Sequence, residues 1–216
     1  MMRLTSIFLL GFSVIFSGSI LAQTDGWNLA KSEDGINVYS RRASEERALK
    51  ELKVIAEVKG TLSSFLTLFA DKSSFPEWVY GCGSAKMLKV VSENETYHYQ
   101  TTDMPWPMQN RDLILNTKLS QDPITKVLTI DCNSAPNYIA IQKDYIRVNF
   151  YKAYWIVTPK LDGVLEIIYT VNFDPEGNLP DWVINLASAD APLTTVKNLR
   201  EILSANQSRK ISTIKK

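Results

Sequence analysis

FDPEGNLPDWVINLASADAPLTTVKNLREIL, Phe173 to Leu203, decides how the chain is read: a last strand, a tight turn and one long helix. Asp174-Pro175-Glu176-Gly177 is a turn with a mechanism, because Pro fixes φ and Gly tolerates a positive φ. Pro180 suits the first helical position, where its missing N–H costs nothing. Asp181 then puts negative charge in the first turn, matching the helix dipole. Beyond it apolar residues recur at Trp182, Leu186, Ala189, Leu193, Val196, Leu199 and Leu203, the three- and four-residue steps of one helical face. Pro192 lies inside that pattern and cannot donate its backbone hydrogen bond, which predicts a kink. Such a face needs a large apolar surface to lie on.

Working upstream, the chain supplies strands. Val164 to Phe173, Ile146 to Val157, Lys126 to Asp131, Asp112 to Leu119, Thr96 to Thr102 and Ala85 to Val91 all have strand character. Short turn-like pieces such as Ser92-Glu93-Asn94-Glu95, Gln121-Asp122-Pro123 and Asp162-Gly163 separate them, which implies an antiparallel meander. Further back, Phe75 to Tyr80 is an aromatic cluster, and Leu62 to Ala70 reads as a short helix with Thr61 as N-cap. Leu49 to Val58 and Ile36 to Arg41 are two more strands, and Trp27 to Lys31 is a short helical or irregular entry. About eight antiparallel strands and one long helix make an α+β fold, expected here as a strongly curved sheet closed over that helix. The small residues Ala187, Ser188, Ala189 and Ala191 cannot fill so much inward surface, which leaves room for an apolar ligand cavity. Periodicity alone is equally satisfied by a filled core.

The 216 residues are 45% hydrophobic and 22% charged with a formal net charge of +1, an ordinary globular composition. That balance gives no electrostatic case for nucleic acid and little for anionic lipid surfaces. At the N-terminus, Arg3, the apolar run Ile7 to Phe16 and the small residues up to Ala22 follow the order of a secretory signal peptide. The run is short of the roughly 20 residues that span a bilayer. We therefore expect a leader at 1–22, one domain at 23–207 and a basic, frayed tail at 208–216. The mature protein is then exported, either secreted or into the periplasm of a Gram-negative host. Cys82 and Cys132 lie fifty residues apart without metal-ligand spacing; a disulfide and two buried thiols are both open in an oxidising compartment.

Several segments, taken together and in order, resemble the START (StAR-related lipid-transfer) family. They are Trp27-Asn28-Leu29 with Ser32 to Arg41, Phe75-Pro76-Glu77-Trp78-Val79, Met104-Pro105-Trp106-Pro107-Met108-Gln109-Asn110-Arg111-Asp112-Leu113, and Asp174 to Asn185. They span essentially the whole mature chain. The resemblance implies the helix-grip fold and a non-covalent carrier or sensor of a lipid or other hydrophobic molecule. It implies no cofactor, and it allows transient membrane contact by a monomer. A helix-grip interaction module without ligand is the alternative.

Side chains alternate across a sheet, so each strand offers two faces. The more apolar sets are Tyr97, Tyr99 and Thr101; Leu113, Leu115 and Thr117; and Tyr169, Val171 and Phe173. We expect these toward the helix, with Trp78, Trp106, Tyr154 and Leu186 as further lining residues. Arg111 and Asp112 must point to opposite faces, so one could anchor a polar headgroup, although a surface ion pair explains both. Asp190 on the helix could face the cavity in the same way. The closing helix and the Met104 to Asn110 bend are the candidate gates. No Ser–His–acid set, HExxH, CxxC or phosphate-binding glycine loop is present. His98, the sole histidine, is expected to point to solvent, opposite Tyr97 and Tyr99. Catalysis of the kind known in helix-grip polyketide cyclases would need Asp103, Glu166 or Asp190 buried with a raised pKa. A non-catalytic role is the reading the residues favour.

Overall fold

In the computed structural model, which describes residues 26–42 and 50–214, the leader expected at 1–22 lies outside the described residues. Ten strands form one sheet among those residues. The first three are β1 (Asn28–Glu33), β2 (Ile36–Arg42) and β3 (Lys50–Lys59). Two helices, α1 (Leu62–Ala70) and α2 (Phe75–Trp78), follow. The remaining strands are β4 (Cys82–Ser92), β5 (Glu95–Thr102), β6 (Asn110–Gln121), β7 (Leu128–Ser134), β8 (Tyr145–Arg147), β9 (Tyr151–Pro159) and β10 (Val164–Phe173). The long helix α3 (Asp181–Ile214) ends the described chain, running unbroken through Pro192 and over most of the expected tail.

The fold is α+β, a sheet packed on one face against a C-terminal helix, but the expected closure of the sheet does not occur. The strand order β1-β2-β3-β10-β9-β7-β6-β5-β4 is an open path with β1 and β4 as its two edges. Closure would require those edges to pair with each other. Instead α2 packs on β4 and on α3, while α3 packs on β2 and β3, so helices occupy that face and the sheet is not curled shut. Two smaller expectations also fail. The Trp27 to Lys31 region is an edge strand, paired with β2 from Asn28 onward. The single strand expected over Ile146 to Val157 is two, and β8 pairs parallel to β6. The meander from β4 to β10 otherwise runs as the turn signals imply.

Local chemistry explains the helical layer. Thr61 caps α1 by accepting from the Ser64 N–H at 3.1 Å, and Ser64 Oγ accepts in return from the Thr61 N–H at 2.9 Å. This reciprocal arrangement satisfies two otherwise orphaned donors. The core lies between the sheet and the helices. Leu193, Val196, Leu199 and Leu203 of α3 meet Val54, Ala56, Val58, Ile130, Val157, Leu165 and Ile167, with Phe65, Phe69, Phe75 and Trp78 from the helical side. The second half of the predicted apolar face is thus the half seen buried. α3 is also held to the β1–β2 hairpin from outside: Lys31 to Asp190 at 2.5 Å, Lys197 to Glu33 at 2.7 Å, and Arg200 to the Asp34 carbonyl at 2.7 Å.

Candidate functional site

Phe69 at the end of α1 and Phe75, Trp78 and Val79 around α2 form one wall of a small chamber. The sheet provides the opposite wall through His98 and Gln100, Leu115, Cys132, Tyr151, Ala153 and Trp155, and Tyr169. Thr195 of α3 completes it and is fixed by accepting the Tyr80 N–H at 3.1 Å. The aromatic walls interlock: Trp155 stacks on Tyr169 with centroids 4.0 Å apart, and Phe75 meets Trp78 edge-on at 4.9 Å and His98 at 5.6 Å. The hydroxyls of Tyr151 and Tyr169 share a hydrogen bond of 3.4 Å. The space left between these walls is about 40 Å³, room for one water-sized group, which takes roughly 30 Å³.

Polar atoms on this wall lack partners. Four buried side-chain nitrogens or oxygens have none among the described residues: Trp78 Nε1, both ring nitrogens of His98, and Asn172 Oδ1. Three of the four belong to chamber residues. Burial, reinforced by the Lys72 ammonium, holds the His98 pKa well below 6.5, so the ring is neutral at pH 7. Lys72 is itself buried, donating to the Phe69 carbonyl at 2.7 Å and lying 4.4 Å from the ring centroids of Phe69 and Phe75.

The expected site residues divide. Trp78, Leu115 and Tyr169 line the chamber; Leu113, Val171 and Phe173 share its face of the sheet within the core. Thr117 is buried on that face, its hydroxyl 3.5 Å from Cys132 Sγ. On β5 the parity is reversed. His98 is 1% exposed and faces inward with Gln100, whereas Tyr97, Tyr99 and Thr101 lie on the far side. There Tyr97 stacks on Tyr138 at 4.1 Å and Thr101 bonds Ser84 at 3.0 Å. Trp106 and Tyr154 are exposed, at 91% and 38%. The Leu186 side chain lies outside the described ones. Asp190 pairs with Lys31 at the surface rather than facing inward.

Arg111 and Asp112 do take opposite faces, but they are no surface pair. Asp112 is fully buried and binds Arg147 bidentately, at 2.7 and 2.8 Å. Arg147 also donates to the carbonyls of Pro136, Ile139 and Ala140, fastening the 135–147 segment over the far side of the sheet. Arg111 has carbonyl partners instead: Gln109 at 2.5 Å, Pro175 at 3.0 Å and Glu176 at 2.8 Å. It stitches the Met104 to Asn110 bend to the turn before α3. The carboxylates an enzyme would use are scattered. Asp103 accepts from Asn110 at 3.1 Å, Glu166 pairs with Lys160 at 3.0 Å, and Asp190 has Lys31. Among the described residues no three His, Cys, Asp or Glu side chains group as a metal site. Both cysteines are free and buried.

The START domain model matches residues 15–209. The chain is 32% identical over 191 residues to the uncharacterized protein PA1579 of Pseudomonas aeruginosa, covering 87% of this chain and 92% of that one. Its fold matches the STAR-related lipid transfer protein of Xanthomonas axonopodis with TM-score 0.76 and 29% identity, over 83% of this chain and 99% of that one. Human STARD10 shares the fold with TM-score 0.73 at 21% identity, over 88% of this chain and 78% of the other.

Proposed function

The chain belongs to the START domain family, and on that premise we propose that it binds a lipid or other hydrophobic small molecule between the sheet and the helices, without catalysing a reaction. One observation carries the location: the aromatic chamber bounded by α1, α2, α3 and strands β5, β6, β7, β9 and β10, the place where both layers turn apolar surface toward each other. Burial of hydrocarbon supplies the driving force, roughly 0.8 kcal/mol per CH₂, so a twelve-carbon chain gains about 10 kcal/mol before the cost of opening. Opening is required, because ligand sites of this class occupy several hundred Å³ and the chamber holds about 40 Å³. The gate in this reading is α3 together with the Met104 to Asn110 bend. Export of the mature protein, read from residues 1–22, belongs to the same proposal.

The tight packing favours a second reading, an interaction module that uses the fold without a ligand. Native mass spectrometry on protein purified without detergent from its own host separates the two. A reproducible adduct, released by organic solvent and identified as one lipid class, is the expected result. A clean unliganded mass, unchanged after incubation with total host lipid, leaves the interaction module standing.

A further inference from the structure

We propose that Gln100 is the polar anchor of the chamber, and that it selects a ligand whose neutral head group carries a hydrogen-bond donor and acceptor side by side, as a carboxamide does. The inference deepens the carrier reading and rests on it. Gln100 lines the chamber from β5 and is 8% exposed. Its side-chain amide makes no hydrogen bond among the described residues, yet neither its oxygen nor its nitrogen is one of the partnerless atoms sealed from solvent. The amide therefore keeps open surface, whereas Trp78 Nε1 and the His98 ring nitrogens keep none. A buried polar group left in that condition needs a partner to account for it.

Other polar groups of the wall are engaged. The Tyr151 and Tyr169 hydroxyls bond each other, Thr195 accepts the Tyr80 N–H, and the Cys132 sulfur takes the Thr117 hydroxyl. The Trp155 indole N–H has no partner among the described residues, but it offers a single donor and lies among the rings of Phe65, Phe69 and Trp78. Its strand is separated from that of Gln100 by β7 and β6. A side-chain amide holds its acceptor oxygen and donor nitrogen in one plane, so one planar ligand group reaches both. A second carboxamide gives its N–H to the Gln100 oxygen and takes the Gln100 N–H on its own oxygen. Exchanging the Gln100 oxygen and nitrogen leaves that complement the same. An ester has no hydrogen to give and leaves Gln100 Oε1 unpaired once the site closes. A carboxylate has the same lack, and its charge is very costly to bury unpaired; Lys72 is already committed to the Phe69 carbonyl and two ring faces. Position orients the ligand as well. Gln100 stands two residues from Thr102, where β5 ends at the bend, so the head group lies at the bend end and the hydrocarbon runs toward Phe69, Trp78 and Trp155.

The test uses the full chain labelled with nitrogen-15 and three probes of equal chain length, titrated near pH 7: decanamide, methyl decanoate and decanoate. The expected result is binding of decanamide about tenfold tighter than of the methyl ester, with movement of the Gln100 side-chain N–H₂ signals. Gln100→Met, apolar and of similar length, should erase that preference while leaving ester binding intact. If the variant does not fold, the wild-type ranking and the Gln100 signals still decide the matter. Equal binding of amide and ester, unmoved Gln100 signals, a preference that survives Gln100→Met, or tightest binding of decanoate each overturns the head-group assignment and leaves the carrier reading in place. Binding of none of the three overturns the assignment and takes the carrier reading's apolar chamber with it.

Discussion

At the scale of single residues, what matters most is charge and polarity held out of water. His98 enters the fold as a neutral ring whose pKa is pulled well below 6.5, first by burial and then by Lys72. Between that depressed value and 6.5 the unfolded chain binds a proton that the folded chain refuses, so stability falls as pH drops below 6.5. As the chain has one histidine, the slope of urea-unfolding stability between pH 7 and pH 5 should flatten in His98→Leu. An unchanged slope would place the titration elsewhere. Asp112 is the opposite case, a carboxylate whose burial is tolerated because Arg147 grips both oxygens. Asp112→Asn leaves that guanidinium without its counter-charge and should cost about 3–5 kcal/mol at unchanged m-value; a loss below about 1 kcal/mol would argue against a buried pair. The thiols follow the same logic. Burial pushes Cys132 up to about 11, and burial with Asp103 nearby pushes Cys82 up to about 12. Thiolate is scarce in the folded protein, so both should react with an aromatic disulfide reagent only as fast as the protein opens. Rapid labelling of either at pH 8 would contradict their burial.

At the scale of elements, the sequence was legible where one face of a strand meets solvent and opaque where both are covered. On β10 the odd positions from Leu165 to Val171 are buried and the even ones half-exposed, and hydropathy alternation alone picks the right side. On β5 four consecutive residues, His98 to Thr101, are buried, because the 135–147 segment covers the far side. Choosing the more apolar set there selected the tyrosines, and the polar set, His98 and Gln100, faces the chamber. No local pattern announces a covering segment that follows β6 in the chain. Trp106 misled for a related reason, since its size suggested burial while the bend carries it outward. Openness of the sheet was likewise invisible, because strand count does not say whether the edges meet. The signal for Arg111 was present but incomplete: alternation put it opposite Asp112, while its partners, the carbonyls of the turn at Pro175 and Glu176, lie across the fold. Gly177 there takes the positive φ of 76° that the sequence reading assigned to it, and Glu176, for which none was expected, takes 59°. Arg111→Met removes two hydrogen bonds to that turn and one to Gln109 of the bend. Amide exchange at residues 174–180 should accelerate at least tenfold, with exchange in β9 and β10 unchanged; uniform acceleration would mean general destabilisation instead.

At the scale of the molecule, the packed chamber sets the kinetics of any cargo. A lipid chain needs several hundred Å³, the walls leave about 40 Å³, and the interior transmits strain rather than yielding continuously. Binding must therefore follow an opening that the protein makes on its own, at a rate independent of ligand. The middle of α3 is a poor candidate to move, with Leu193, Val196, Leu199 and Leu203 all in the core. The ion pairs from Lys31 and Lys197 add little, being half-exposed and screened by salt. What remains is the approach to α3, where Arg111 ties the turn to the bend. In stopped-flow mixing with vesicles carrying a fluorescent lipid, the observed uptake rate should rise with lipid concentration and then reach a plateau equal to the opening rate. Arg111→Met should raise that plateau severalfold and leave it nearly insensitive to salt. A rate that climbs linearly to the mixing limit would mean that the chamber is not gated and that the lipid binds on the surface, where the exposed Trp106 and Ile184 become the residues to change.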